Sequence, residues 1–259
     1  MMNLDQSVYE YVVSTIKALL DRKVVLLGVS EWNPLFDARR ITYSIQVIRD
    51  YGLYKGVVVE VGSPNYLASR VIWSYFPDAN PIFTNHDLRF EPFPLNSESV
   101  DALIALEVIE HISDWPYQQA TTLNGLFYFL EECFRILRPG GYGFFTTPNA
   151  TSLWVIQRAL LGQPPMFYEW HFREYTPSEI VAIFESIGFN VVHISAEFVW
   201  HFWNFDPIVK FMKDNGYSTE MRGDDLFVVV YKPVGERVRK PHGLRLPLKS
   251  PEIMDKSSR

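Results

Sequence analysis

The sequence predicts an α/β fold, a doubly wound, mostly parallel sheet flanked by helices, with a helical extension before it and an antiparallel strand at its end. Three observations carry that prediction. Val57 to Val61 is a short β-branched run, apolar on both faces, that runs into a turn at Gly62. Asp101 to Leu106 is a second apolar run, and it ends in acid at Glu107. From there to Tyr231, short strand-like runs alternate with segments of helical period. Strands apolar on both faces belong between two helix layers, and alternation with helices makes such a sheet parallel.

Taken in order, residues 5–20 read as an amphipathic helix with Val8, Val12, Ile16 and Leu20 near one face. Lys23 to Leu27 is a short run of either type. Asn33-Pro34 is a helix start for a segment reaching about Tyr51, with Gly52 as its C-terminal glycine. Residues 1–55 carry no catalytic pattern and are expected to form a cap beside the site or a surface for homodimer formation. A helix spans roughly Tyr66 to Tyr75. Only Pro81 to Thr84 separates it from Asp87, which leaves little room for a further strand–helix unit. A long helix covers about Thr122 to Leu137 and is ended by Pro139-Gly140-Gly141, and Tyr142 to Thr147 is the next strand. Ser152 to Leu161 reads as helical, and the Pro- and aromatic-rich segment 162–175 as an ordered loop or lid. Thr176-Pro177-Ser178-Glu179 has the spacing of a capping box, opening a helix that Gly188 closes. A strand from Asn190 to Ile194, an aromatic insert at 198–205, a helix near Asp206 to Lys213 and a strand from Leu226 to Tyr231 complete the fold.

Composition narrows the function classes. The formal charge of -6 gives no general attraction to nucleic acid or anionic membranes. The segment 232–259 is the exception, with eight Lys/Arg against three Asp/Glu, and it reads as a basic, disordered tail. The single cysteine, Cys133, leaves no intrachain disulfide and fits a reducing compartment. No run approaches the roughly 18 apolar residues of a membrane span, and no secretory signal is visible. The expectation is a soluble, cytoplasmic protein.

Five blocks in order now carry a resemblance: Val58-Val59-Glu60-Val61-Gly62; Asp87 through Pro92-Phe93-Pro94 to Asp101; Leu106-Glu107-Val108-Ile109-Glu110-His111; Phe134-Arg135-Ile136-Leu137-Arg138-Pro139-Gly140-Gly141 to Thr147-Pro148-Asn149; and His171-Phe172-Arg173-Glu174-Tyr175-Thr176-Pro177 to Gly188-Phe189. Together they resemble the class I S-adenosylmethionine-dependent methyltransferases of the type 11/23 kind, over residues 56–231. The resemblance implies a Rossmann-like domain, S-adenosyl-L-methionine as cofactor, and binding residues Glu60, Gly62, Ser63, Asp87, Leu106 and Glu107. Pro64 and Tyr66 depart from the family's glycine-rich turn, and neither tolerates positive φ easily. Asp87 either serves the adenine, the favoured placement, or takes the place of the missing ribose carboxylate.

For chemistry the resemblance points to His111, Glu110 and His171, with His111 as general base. Glu107, Glu110, His111 and His171 also resemble the metal-binding residues of small-RNA 2′-O-methyltransferases and ubiquinone-pathway O-methyltransferases; a divalent metal there is the less favoured alternative. Phe167, Tyr168, Trp170, Phe172 and the Trp200 to Trp203 cluster stand where the family builds an acceptor pocket. The expected activity is O-methylation of a small molecule or glycan. The alternatives are a methyltransferase-like binding protein with weakened or lost cofactor binding, and metal-assisted RNA 2′-O-methylation, which the acidic body disfavours.

Overall fold

The computed structural model describes residues 1–30, 33–84, 86–113, 123–200 and 204–240. In chain order these form α1 (Gln6–Asp21), α2 (Ala38–Asp50), β1 (Val58–Val61), α3 (Leu67–Tyr75), β2 (Ile82–Thr84) and β3 (Val100–Leu106). A single 3₁₀ turn (Ile109–His111) follows, then α4 (Asn124–Ile136), β4 (Leu137–Pro148), α5 (Leu153–Leu160), α6 (Pro177–Ile187), β5 (Asn190–Glu197), α7 (Asp206–Asp214) and β6 (Asp225–Tyr231). Among the described residues the sheet has six strands in the order β2-β1-β3-β4-β6-β5. The first four are parallel, and β6 runs antiparallel to both β4 and β5.

Alternation along the strands builds two cores. Leu103 and Ala105 of β3, with Val228 and Val230 of β6, face α4 and α6 through Leu126, Phe129, Leu130, Ile183 and Phe184. Ala102 and Ile104, with Phe227 and Val229, face Val12 and Ile16 of α1, Ile41, Ile45 and Ile48 of α2, and Val71 and Ile72 of α3. The period of two sends neighbouring residues to opposite faces, so the central strands carry apolar residues toward both helix layers. Cys133 is buried in the first core.

Four expectations need correction. Residues 1–55 are not a separate unit: α1 and α2 are part of the helix layer that closes the second core, while Leu27, Gly28, Asp37 and Arg40 do stand beside the site. Helix α2 begins at Ala38 rather than Pro34, because Asn33 caps a separate turn in which its Oδ1 accepts the Leu35 N–H at 3.0 Å. Pro139-Gly140-Gly141 lies inside β4, and α4 passes into that strand without a loop. The tail is docked, not disordered, over 232–240. Lys232 Nζ donates to the Phe134 and Leu137 carbonyls at 2.9 and 2.7 Å, Arg237 pairs with Glu131 at 2.8 Å and Lys240 with Glu185 at 2.6 Å. Its cations meet free carbonyls at the C-termini of α4 and α6, where positive charge is favoured, and the neighbouring acids Glu131 and Glu185. Residues 241–259, the start of the long helix at Thr122, and His201 to Trp203 lie outside the described residues.

Pro81 to Thr84 does hold a strand, the edge strand β2, but no helix is described between it and β3. The chain crosses there as a loop pinned by α4, where Arg135 donates to the Phe93 and Leu95 carbonyls at 3.0 and 2.9 Å. Thr176 and Glu179 form the capping box of α6, and Gly188 ends that helix at φ 107°. No helix among the described residues is long and apolar enough to cross a membrane.

Candidate functional site

A cavity of about 780 Å³ opens at the carboxyl ends of β1, β2 and β3, where parallel α/β sheets bind ligands. Glu60, Gly62, Asp87, Leu106, Glu107 and His111 line it, while Ser63, Glu110 and His171 stand outside its lining.

The turn after β1 accommodates Pro64 and Tyr66 without strain. Gly62 carries the positive φ, at 140°. Tyr66 stays at φ −67° as the residue before α3. A Cβ on Gly62 would meet nothing nearer than the Tyr66 ring at 3.9 Å, so the glycine leaves its side of the turn open. The segment after α1 closes over this turn: the Leu27 N–H donates to the Asn65 carbonyl, and the Leu67 N–H to the Leu27 carbonyl, both at 2.9 Å. Ser63 is engaged within the turn, its hydroxyl accepting from the Asn65 N–H at 3.3 Å.

Two of the expected binding acids already have partners. Glu60 lies on the α3 side of β1 and accepts from the Ser69 hydroxyl at 2.5 Å and from the Trp73 indole. Burial pushes its pKa up to about 7 against those hydrogen bonds. Asp87 is clasped by Arg89, whose Nε donates at 2.8 Å and whose Nη2 reaches the other carboxylate oxygen. That guanidinium holds the Asp87 carboxyl below its usual range.

Glu107 follows β3 in the left-handed region, at φ 54°. The conformation is costly outside glycine, and Thr146 holds it: its carbonyl accepts the Glu107 N–H at 3.1 Å, and its hydroxyl donates to the Glu107 carboxylate at 2.6 Å. Glu110 is fully buried, with Oε2 accepting from Thr147 at 3.0 Å and Oε1 unpartnered. Burial, then Glu107, raise its pKa well above the usual range. His111 Nε2 stands 3.8 Å from Glu110 Oε1, and the rings of His111 and His171 lie edge to face at 5.0 Å. Burial and then His171 lower the His111 pKa, so its imidazole is neutral at pH 7. His171 is fixed by a 2.7 Å contact between Nδ1 and Glu174, whose carboxylate also accepts the Phe167 and Tyr168 N–H groups. The candidate ligand atoms of Glu110, His111 and His171 lie within 4.8 Å of one another, and Glu107 is not in that group. Beside them Tyr168, Trp170 and Phe172 are exposed, Trp170 by 70%.

The lining residues that sequence reasoning missed include Asp37, Arg40, Thr84 and His86, and it also missed the buried acid Asp225 near Arg40. Arg40 Nε donates to Asp37 at 3.2 Å, and Nη1 stands 4.0 Å from Glu107. Burial opposes its charge, yet Asp37, Glu107 and Asp225 together favour it. Asp225 opens β6 fully buried with neither oxygen hydrogen-bonded, and burial raises its pKa well above the usual range. The sequence signal for Arg40 was a charged pair, Arg39-Arg40, at the start of a helix that buries both apolar and polar residues.

The family model described as a methyltransferase domain matches residues 37–194. A protein of Mycolicibacterium smegmatis, named a probable S-adenosylmethionine-dependent methyltransferase, is 34% identical over 98 residues, which is 38% of this chain and 32% of the relative. The mitochondrial ubiquinone biosynthesis O-methyltransferase of Rattus norvegicus is 29% identical over 102 residues, 37% of this chain and 26% of that protein. The chain thus spans a third or less of the length of these two relatives. Among solved structures, an S-adenosylmethionine-dependent methyltransferase from Archaeoglobus fulgidus is 15% identical with a TM-score of 0.47, over 73% of this chain and 93% of that one. At that score the likeness adds nothing to the family match.

Proposed function

The chain belongs to that methyltransferase-domain family, and from this premise we propose that it is an S-adenosylmethionine-dependent methyltransferase acting at oxygen on a small molecule or glycan. The observation that carries the reading is the cavity itself, which brings the glycine turn, the strand-end Glu107 and His111 to one opening. Its volume suits a nucleoside-sized ligand. Its charges suit the cofactor too: Arg40 between Asp37 and Glu107 complements an amino-acid end that carries both a carboxylate and an ammonium. Gly62 and Leu106 line the space between, open and apolar. A turn that needs positive φ only at Gly62 removes Pro64 and Tyr66 as grounds for a binding protein that has lost its cofactor.

S-adenosylmethionine, when bound, supplies a methyl group on a sulfonium whose leaving group is a neutral thioether. The residues of this chain orient and deprotonate. Glu60, neutral below about pH 7, ties β1 to α3 through Ser69 and Trp73, and so positions the turn. Glu107 and Arg40 hold their charges at fixed places in the wall. His111, neutral and in the opening, takes the acceptor's proton, while Glu174 fixes His171 against it. The exposed rings of Tyr168, Trp170 and Phe172 offer the acceptor a stacking surface.

One observation favours a second reading, in which a divalent cation assists: Glu110 Oε1 is unpartnered and stands with His111 and His171 in a ligand-sized group. The experiment is radiolabelled methyl transfer from S-adenosylmethionine to a panel of hydroxylated small molecules and glycans. His111→Ala is expected to lower the rate by about 10²- to 10⁴-fold with cofactor affinity unchanged. A rate indifferent to exhaustive chelation and metal add-back supports the metal-free reading; loss and recovery supports the second. A His111→Ala enzyme as fast as wild type contradicts both.

A further inference from the structure

We propose that Thr84 and His86 form a neutral subsite for the ribose hydroxyls of the cofactor, in place of a carboxylate. The proposal rests on the methyltransferase reading above. Thr84 is the last residue of β2; it pairs with Val61, and its carbonyl accepts the Gly62 N–H at 3.3 Å. Its side chain therefore lies beside the glycine turn, and His86 follows two residues on. Both line the cavity. The Thr84 hydroxyl and both ring nitrogens of His86 are buried without a hydrogen-bond partner. Folded proteins rarely leave such groups unsatisfied, so three orphan atoms at one strand end call for a polar ligand.

The acid that might have served instead is engaged, since Arg89 takes both oxygens of Asp87. Burial lowers the His86 pKa although Glu91, Glu132 and Asp87 favour its charge, so the ring is neutral at pH 7. A neutral imidazole offers one donor and one acceptor, and a threonine hydroxyl offers both. That set matches hydroxyl groups, each of which also donates and accepts. Beyond it the lining continues through Leu88, Val108 and Ile112, an apolar wall suited to a purine.

The test is calorimetry with S-adenosylhomocysteine and its 2′-deoxy and 3′-deoxy analogues, on wild type, Thr84→Val and His86→Phe. Wild type is expected to bind at least one deoxy analogue about three- to tenfold more weakly than the parent, and each variant to bind the parent more weakly by a similar factor. The variants should not distinguish parent from analogue as wild type does. Without ligand they should melt no lower than wild type, because both substitutions keep the shape while removing orphan polar atoms. In His86→Phe an aromatic ring still stands edge-on to Phe93, as the imidazole does. Variants that melt lower and weaken all three ligands alike would show a merely structural role and overturn the proposal. Parent binding unchanged in both variants would overturn it and leave the methyltransferase reading standing. No binding to wild type would overturn both.

Discussion

At Glu60, burial outweighs hydrogen bonding: Ser69 and Trp73 favour the charged carboxylate, yet desolvation carries its pKa up to about 7. The unfolded chain ionises this group near its ordinary value of 4.5, so its folded pKa is the higher one. The stability it contributes is therefore complete below pH 4.5 and is lost as pH rises through 7, up to about 3 kcal/mol. Glu60→Gln stays neutral throughout and is expected to gain on wild type over that window. Urea unfolding of both proteins at about pH 4.5 and about pH 7.5 checks this, and a gap that does not change with pH contradicts it. The place of Glu60 before Gly62 was readable in the sequence, but its employment was not. Ser69 and Trp73 meet it across the turn, and no spacing rule links them to the strand. Arg40 was harder still, because a charged residue in a helix says nothing of the cavity it borders until the helix is packed on the sheet.

Elements whose ends are decided by local chemistry were the most legible. The capping box of α6 is an instance, since Thr176 and Glu179 satisfy two backbone N–H groups at the start of that helix. Thr176→Ala is expected to cost about 1 kcal/mol of stability. The urea midpoint should fall at constant slope, and S-adenosylhomocysteine affinity should stay the same; an unchanged midpoint contradicts the assignment. Elements settled by pairing across the sheet were less legible. Pro139-Gly140-Gly141 looks like a helix stop followed by a loop, yet Leu137 already pairs with Val100 of β3. Asn33-Pro34 does start a turn, but Asn33 Oδ1 closes it at Leu35 and α2 begins afresh at Ala38. Loop 162–175 could be foreseen as ordered from its aromatics. What orders it is Glu174, gathering Phe167, Tyr168 and His171 around one carboxylate.

For the whole molecule, strands apolar on both faces foretold a sheet between two helix layers. They did not say which helices made the second layer. The amphipathic face of α1 shows that it must be buried, not what it is buried against, and so residues 1–55 read as a cap. In the structure Val8, Val12 and Ile16 close the core over Ile41, Ile45 and Ala102. Deleting residues 1–30 should therefore expose that core and give an aggregated or loosely packed chain without a sharp thermal transition. A truncated protein with native near-ultraviolet dichroism and a cooperative melt would restore the separate cap. The functional reading stands on the cavity at the carboxyl ends of β1, β2 and β3, and its decisive test is calorimetry of the full chain with S-adenosylmethionine and S-adenosylhomocysteine. One saturable site per chain is expected for each ligand; no heat of binding for either at millimolar concentration would contradict it.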